Sequence, residues 1–114
     1  MLLYDYSKST AAYRVRIALG LKDLTYQRET VSLLDKHQYS DAYRSLNPAG
    51  LVPTLVDGDV TLSQSLAIIE YLDERYPQVK LLPSDPVQKA QCRSLHSTLP
   101  VMCIHSITCE FCNT

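Results

Sequence analysis

Apolar and polar residues change rhythm several times along this chain, and each change predicts an element. Residues 2–6 read as a short strand. From residue 11 to about 21, Val15, Ala18 and Leu19 recur at helical spacing, which predicts an amphipathic helix burying those three side chains. Residues 26–33 alternate and carry Thr30 and Val31, the pattern of a second strand. Strand, helix and strand joined by a right-handed crossover make a parallel pair. Residues 36–45 are polar and tyrosine-rich, and predict a short irregular helix or a loop. Residues 54–56 and 60–62 flank Asp57-Gly58-Asp59, which predicts an antiparallel hairpin. Residues 65–76 return to helical spacing, with Leu66, Ile69 and Leu72 expected inward, and stop before Pro77.

The order is βαβ followed by ββα, which is that of a thioredoxin-like α/β fold. Leu82-Pro83-Ser84-Asp85-Pro86 then reads as a linker and helix start, with Asp85 as N-cap and Pro86 at the first helical position. Residues 87–95 fit the beginning of that helix, with Ala90 on its inner face. Residues 96–114 lack a helical period and combine Pro100 with clustered cysteines.

Composition narrows the functional classes. A chain of 114 residues suits one domain, and 46% hydrophobic with 20% charged residues suits a soluble globule. The net charge of -1 gives no electrostatic reason to expect nucleic acid or an anionic membrane as partner. No apolar run approaches the ~20 residues of a spanning helix, and no basic-led apolar stretch opens the chain, so the cytoplasm is the expected compartment. All four cysteines, Cys92, Cys103, Cys109 and Cys112, fall in the last quarter, which argues against a secreted disulfide framework. Cys103, His105, Cys109 and Cys112 lack the paired ligands and intervening element of structural zinc sites, so no metal is expected.

The candidate chemistry lies at the junctions between elements. Ser9 and Thr10 put two hydroxyls where the first strand meets the first helix. The first N–H groups of a helix have no internal partner and sit at the positive end of its dipole, so a hydroxyl there can cap the helix or help to hold an anion. Thr10 as a plain N-cap is the alternative. Val52-Pro53 joins a turn to a strand, where a cis peptide is accessible because the tertiary amide reduces the trans preference to ~0.5–1 kcal/mol. An ordinary edge-strand proline would read the same way. Gln64-Ser65 opens the last helix of the domain, whose free N–H groups suit a carboxylate. Arg14 and Arg16 stand on the first helix, either as a solvated face or as cations drawing in an acidic substrate.

Taken together, three segments resemble the N-terminal domain of glutathione S-transferases. They are Ser9-Thr10-Ala11-Ala12-Tyr13-Arg14-Val15-Arg16-Ile17-Ala18-Leu19, Leu46-Asn47-Pro48-Ala49-Gly50-Leu51-Val52-Pro53-Thr54-Leu55 and Leu62-Ser63-Gln64-Ser65-Leu66-Ala67-Ile68-Ile69-Glu70-Tyr71-Leu72. The likeness is greatest to the zeta class, the maleylacetoacetate isomerases, and runs from residue 1 to about 94. It implies a glutathione-binding domain over residues 1–82, a linker and the start of a helical domain over 83–95, and a divergent tail over 96–114. One frame over, codons for residues 95–105 also permit Ser-Leu-Asp-Ile-Ala-Cys-Asp-Val-His-Pro, similar to the family's helix here, so the tail is read as frame-shifted.

The same resemblance implies glutathione as cofactor. Val52, ahead of Pro53, would hold its cysteinyl unit by backbone pairing, Gln64 and Ser65 its γ-glutamyl end, and Gln38 its glycyl end, with His37 a weaker candidate. Ser9 would stabilise the thiolate, supported by Thr10 and ranked above the phenols of Tyr4 and Tyr6. An intact relative would be a homodimer acting on small electrophiles, isomerising maleylacetoacetate to fumarylacetoacetate in phenylalanine and tyrosine breakdown. Zeta enzymes carry Ser-Ser-Cys where this chain has Ser9-Thr10-Ala11, which removes a thiol-transfer role at that position. A non-enzymatic binding or interaction module, or an inactive fragment, is the alternative. The resemblance also implies that Val15, Leu19 and Leu66 lie on a face covered by the helical domain, and so are partly uncovered here.

Overall fold

Four short strands form one mixed sheet in the computed structural model, which describes residues 1–98. The elements are β1 (Leu2–Asp5), α1 (Thr10–Leu21), β2 (Gln27–Thr30), a 3-10 turn (His37–Tyr39), α2 (Asp41–Leu46), β3 (Thr54–Asp57), β4 (Val60–Ser63), α3 (Ser65–Arg75) and α4 (Pro86–Thr98). Strand order is β2-β1-β3-β4. β1 pairs parallel with β2 and antiparallel with β3, and β3 pairs antiparallel with β4. This is the thioredoxin-like arrangement that the order of the elements predicts. β2 is shorter than expected, and all four of its residues are exposed. An edge strand has one neighbour, so its polar Gln-Arg-Glu-Thr sequence meets water, and Val31 just beyond it turns inward.

Leu3, Val15, Leu19, Leu55, Ile68 and Leu72 make the central core, where β1 and β3 meet α1 and α3. Truncating a side chain such as Leu72, which is fully buried, costs ~2–5 kcal/mol. Val15 and Leu19 are buried inside this domain and are not on an uncovered face, because α1 turns them toward the sheet and α3. Leu66, expected inward, is only half-buried, and Ile68 is buried instead, beside the expected Ile69 and Leu72. Residues 36–45 resolve into the 3-10 turn and α2, whose N-cap Ser40 accepts from Tyr43 N–H at 3.3 Å.

Past α3 the chain is held by a charged cluster. Lys22 and Asp73 are buried, 3.0 Å apart. Lys22 Nζ donates to the carbonyls of Tyr76 and Val79 at 2.8 and 2.6 Å. Asp73 accepts from Leu81 and Leu82 N–H at 2.7 and 3.1 Å. Asp85 caps α4 through Gln88 N–H at 3.0 Å, with Pro86 at its first position as expected. On α4 the inward residue is Cys92, whereas Ala90 is exposed. The helix continues to Thr98, so residues 96–98 of the expected tail are helical, and the cysteine cluster at Cys103, Cys109 and Cys112 lies outside the described residues.

Candidate functional site

α1 is capped by Ser9, not Thr10. Ser9 is extended (φ -79°, ψ 120°), and its Oγ accepts from Ala12 N–H at 3.2 Å. The reason is geometric, since a cap needs non-helical backbone and Thr10 already has helical geometry. A hydroxyl that accepts a bond keeps its own proton to donate. Ser9 is half-buried, so its O–H can meet a ligand at the positive end of the helix, while Thr10 is exposed.

The second part of the site is the loop between α2 and β3. The Val52–Pro53 bond is cis, as the sequence allows. Among the described residues, neither the N–H nor the C=O of Val52 has a hydrogen-bond partner. The residues on either side are tightly held. Asn47 Nδ2 donates to the Leu51 carbonyl at 2.8 Å and to Thr54 Oγ1 at 3.2 Å, and Asn47 Oδ1 accepts from Ala49 N–H at 3.1 Å. The Tyr43 hydroxyl bonds the same Leu51 carbonyl and lies 2.9 Å from Thr54 Oγ1. Burial pushes the Tyr43 phenol above its ordinary pKa against the opposing pull of Thr54 and Asn47, so it stays a neutral donor. Gly50 has φ +65°, and a Cβ there would sit 3.1 Å from the Gln38 carbonyl. Glycine is needed for both reasons.

The third part is the start of α3. Gln64 occupies the N-cap with φ 73° and ψ 119° and makes no side-chain cap. Positive φ in a non-glycine residue costs on the order of 1–3 kcal/mol and marks functional positions more often than others. Ile68 N–H makes the first intrahelical bond, to Gln64 O at 3.0 Å, so the preceding N–H groups point out of the helix end. Ser65 is buried, and Arg14 of α1 approaches its Oγ at 3.5 Å.

A cleft of ≈ 310 Å³ joins these parts, lined among others by Arg14, Val52, Pro53, Gln64 and Ser65. The first turn of α1 enters it through Ala11, two residues past Ser9. Gln38 lies beside the loop at Gly50, its amide oxygen buried without a partner among the described residues, and does not line the cleft itself. His37 and Tyr4 line a separate cavity of ≈ 230 Å³ together with Tyr43, and Tyr4 packs edge-on against the Tyr43 ring at 5.6 Å. The two arginines part company. Arg14 reaches the cleft, while Arg16 lies 3.4 Å from buried Asp5 and stacks on Tyr13 at 5.0 Å.

Tyr43, Asn47 and Thr54 carry no assignment from the sequence. Asn47-Pro48 reads as turn punctuation, and what Asn47 bonds depends on residues up to seven positions away. Among the described residues, no group of His, Cys, Asp or Glu could hold a metal, and no helix is long and apolar enough to cross a membrane.

Residues 3–80 match the family described as the N-terminal domain of glutathione S-transferase. The maleylacetoacetate isomerase of Pseudomonas aeruginosa is 54% identical over 99 residues, covering 83% of this chain and 46% of that protein. Glutathione S-transferase Z1 of Arabidopsis thaliana is 51% identical over 88 residues, covering 77% of this chain and 40% of its own length. Among solved structures, a maleylacetoacetate isomerase of Methylobacterium extorquens with bound malonate and glutathione superposes with a TM-score of 0.80 at 44% identity, over 83% of this chain and 45% of that one. The chain thus spans less than half the length of these relatives.

Proposed function

Because this chain belongs to the glutathione S-transferase N-terminal domain family, we propose that its cleft binds glutathione. The observation that carries this reading is the unpaired backbone of Val52 beside the uncapped start of α3, in one cleft with Ser65 and Arg14. An extended peptide can add to Val52 as a short piece of strand. Its γ-glutamyl carboxylate would meet the N–H groups and hydroxyl at Gln64-Ser65, with Arg14 adding positive charge. Gln38, next to Gly50, would face the glycyl end.

In the same reading Ser9 donates to the sulfur. A free thiol with pKa ~8.5 is mostly protonated at neutral pH, and the thiolate is the nucleophile. Lowering that pKa by ~2 units requires ~2.7 kcal/mol of preferential thiolate stabilisation. A charge-assisted hydrogen bond at a helix N-terminus is of that size. Thr10, exposed one residue further on, would support it.

For the full-length protein the proposal is zeta-class chemistry. The glutathione thiolate adds to the cis double bond of a small conjugated electrophile such as maleylacetoacetate, making it a single bond. Rotation and elimination of the thiolate then give the trans product and regenerate glutathione. A cytoplasmic homodimer is part of the same proposal. Calorimetric titration of the chain with glutathione and with S-methylglutathione tests the binding step. Both should bind, since the methylated sulfur leaves the backbone and carboxylate contacts in place. A folded chain that takes up neither would refute the assignment of Val52, Gln64 and Ser65.

A further inference from the structure

Asn47 is 4% exposed and stands four residues before Leu51, outside the cleft it affects. A primary amide carries two N–H donors and one carbonyl acceptor. Here the donors go to the Leu51 carbonyl and Thr54 Oγ1, and the acceptor takes Ala49 N–H. One side chain therefore ties down the residue before Val52, the residue after Pro53 and the turn that leads into both. With Tyr43 on the same carbonyl, both lone pairs of Leu51 O are engaged.

The consequence falls on Val52. Its own N–H and C=O are without partners among the described residues, and that N–H lies in one planar peptide unit with the Leu51 carbonyl that Asn47 and Tyr43 hold. Direction is set from its neighbours, and the neighbours are set by Asn47. Backbone pairing with a peptide needs donor and acceptor within ~0.2–0.3 Å and within tens of degrees of ideal. A loop free to rotate about Leu51 would lose that alignment while leaving β3 and β4 paired.

We infer that Asn47 is a positioning residue for ligand binding, a buried amide latch that aims the peptide unit of Val52 into the cleft. The inference rests on the reading that the cleft binds glutathione. Tyr43 is the auxiliary of the latch. Its hydroxyl reaches the same two atoms, Leu51 O and Thr54 Oγ1, but it makes no bond to the 49–50 turn. Removing it should therefore matter less.

The test uses the whole chain, labelled with nitrogen-15, and compares wild type with Asn47→Ala, Asn47→Asp and Tyr43→Phe. Glutathione affinity is measured by calorimetry, and amide positions by heteronuclear NMR. Asn47→Asp keeps the volume and the Ala49 bond, but sets a carboxylate against the Leu51 carbonyl, so it carries the test if Asn47→Ala does not fold. Expected are a loss of at least tenfold in affinity for both Asn47 variants and about threefold for Tyr43→Phe. The Val52 amide should shift while β3 and β4 amides stay in place. Unchanged affinity in a folded Asn47 variant overturns the latch and leaves the glutathione reading standing. Loss of the β3 and β4 signals together with affinity would make the role merely structural, and would also overturn it. Wild type that does not bind glutathione overturns the underlying reading and the latch with it.

Discussion

α1 and α3 lie side by side, and their two ends are finished in opposite ways. At the N-terminal end Arg14 approaches Ser65, and eight residues further along each helix Lys22 meets Asp73. Eight residues is ~12 Å of helix. At the Lys22–Asp73 end the polar groups satisfy one another. The three N–H donors of the ammonium face Tyr76 O, Val79 O and Asp73, and the carboxylate also takes Leu81 and Leu82 N–H. At the Arg14–Ser65 end Gln64 makes no side-chain cap, and the Val52 N–H and C=O have no partner among the described residues. A closed charged network is an anchor for the chain beyond α3. An open arrangement of donors has room for a ligand, which is why the proposed site is placed at this end.

The comparison breaks most sharply at the anchor. Lys22→Met takes the buried ammonium from Asp73, leaving the carboxylate with Leu81 and Leu82 N–H and with Lys80 at 4.0 Å, and removing one partner of a buried pair costs about 3–5 kcal/mol. Urea unfolding followed by circular dichroism should show that loss. Lys22→Met combined with Asp73→Leu should recover part of it, since the buried carboxylate is then gone. A loss below ~1 kcal/mol for Lys22→Met would mean that water reaches the pair and the end is not closed.

At the open end the effects should fall chiefly on the proposed ligand. Ser9→Ala removes the cap of α1 and, on the proposed reading, the donor to the thiol. It should cost ~1 kcal/mol of stability and raise the pKa of the bound glutathione thiol by ~1–2 units towards ~8.5. Ultraviolet titration of the thiolate reads this shift, and an unmoved thiol would transfer the role to Thr10 or a tyrosine. Arg14→Gln should weaken glutathione about three- to tenfold and flatten the salt dependence of binding, because the cation, and not the shape of the cleft, is what changes. Equal salt slopes for the two proteins would remove Arg14 from the site.

The smallest effect concerns the far edge of the hairpin. Asp57 accepts from Tyr76 and Tyr71 hydroxyls at 2.7 and 2.9 Å, and the Tyr76 bond first, then Tyr71, hold its carboxyl below the usual range against the opposing effect of burial. A depressed folded pKa gives stability that is fully present above the unfolded value of ~3.9 and is lost as pH falls through the folded value. Thermal melts between pH 3 and 6 should therefore fall less steeply on the acid side for Asp57→Asn than for wild type. Parallel curves would show that the two tyrosines do not distinguish the charged from the neutral carboxyl.

β1, α1 and α3 were legible because each repeats a local period that burial enforces, and β3 and β4 because Asp57-Gly58-Asp59 marks the turn between them. Ser9, Val52, Pro53, Gln64 and Ser65 were legible as junction residues, since caps, X-Pro bonds and helix starts announce themselves within a few positions. Whether Ser9 or Thr10 caps α1 was not legible, because two adjacent hydroxyls are equivalent in sequence and backbone dihedrals alone separate them. β2 was overextended because Val31 looks like strand, although the polar edge ends at Thr30.

What local chemistry dictated, then, was the series of elements and the residues at their ends, because those choices depend on neighbours along the chain. The tertiary fold decided which end of the α1–α3 pair closes on itself and which stays open. It also separated Arg14, which reaches the cleft, from Arg16, which turns to Asp5, although they stand two residues apart on one helix. And it gave Asn47 its work, by bringing Leu51 and Thr54 within reach of one buried amide. Partnerships of this kind are set by where β1, β3 and the helices pack, and no spacing along the sequence encodes them.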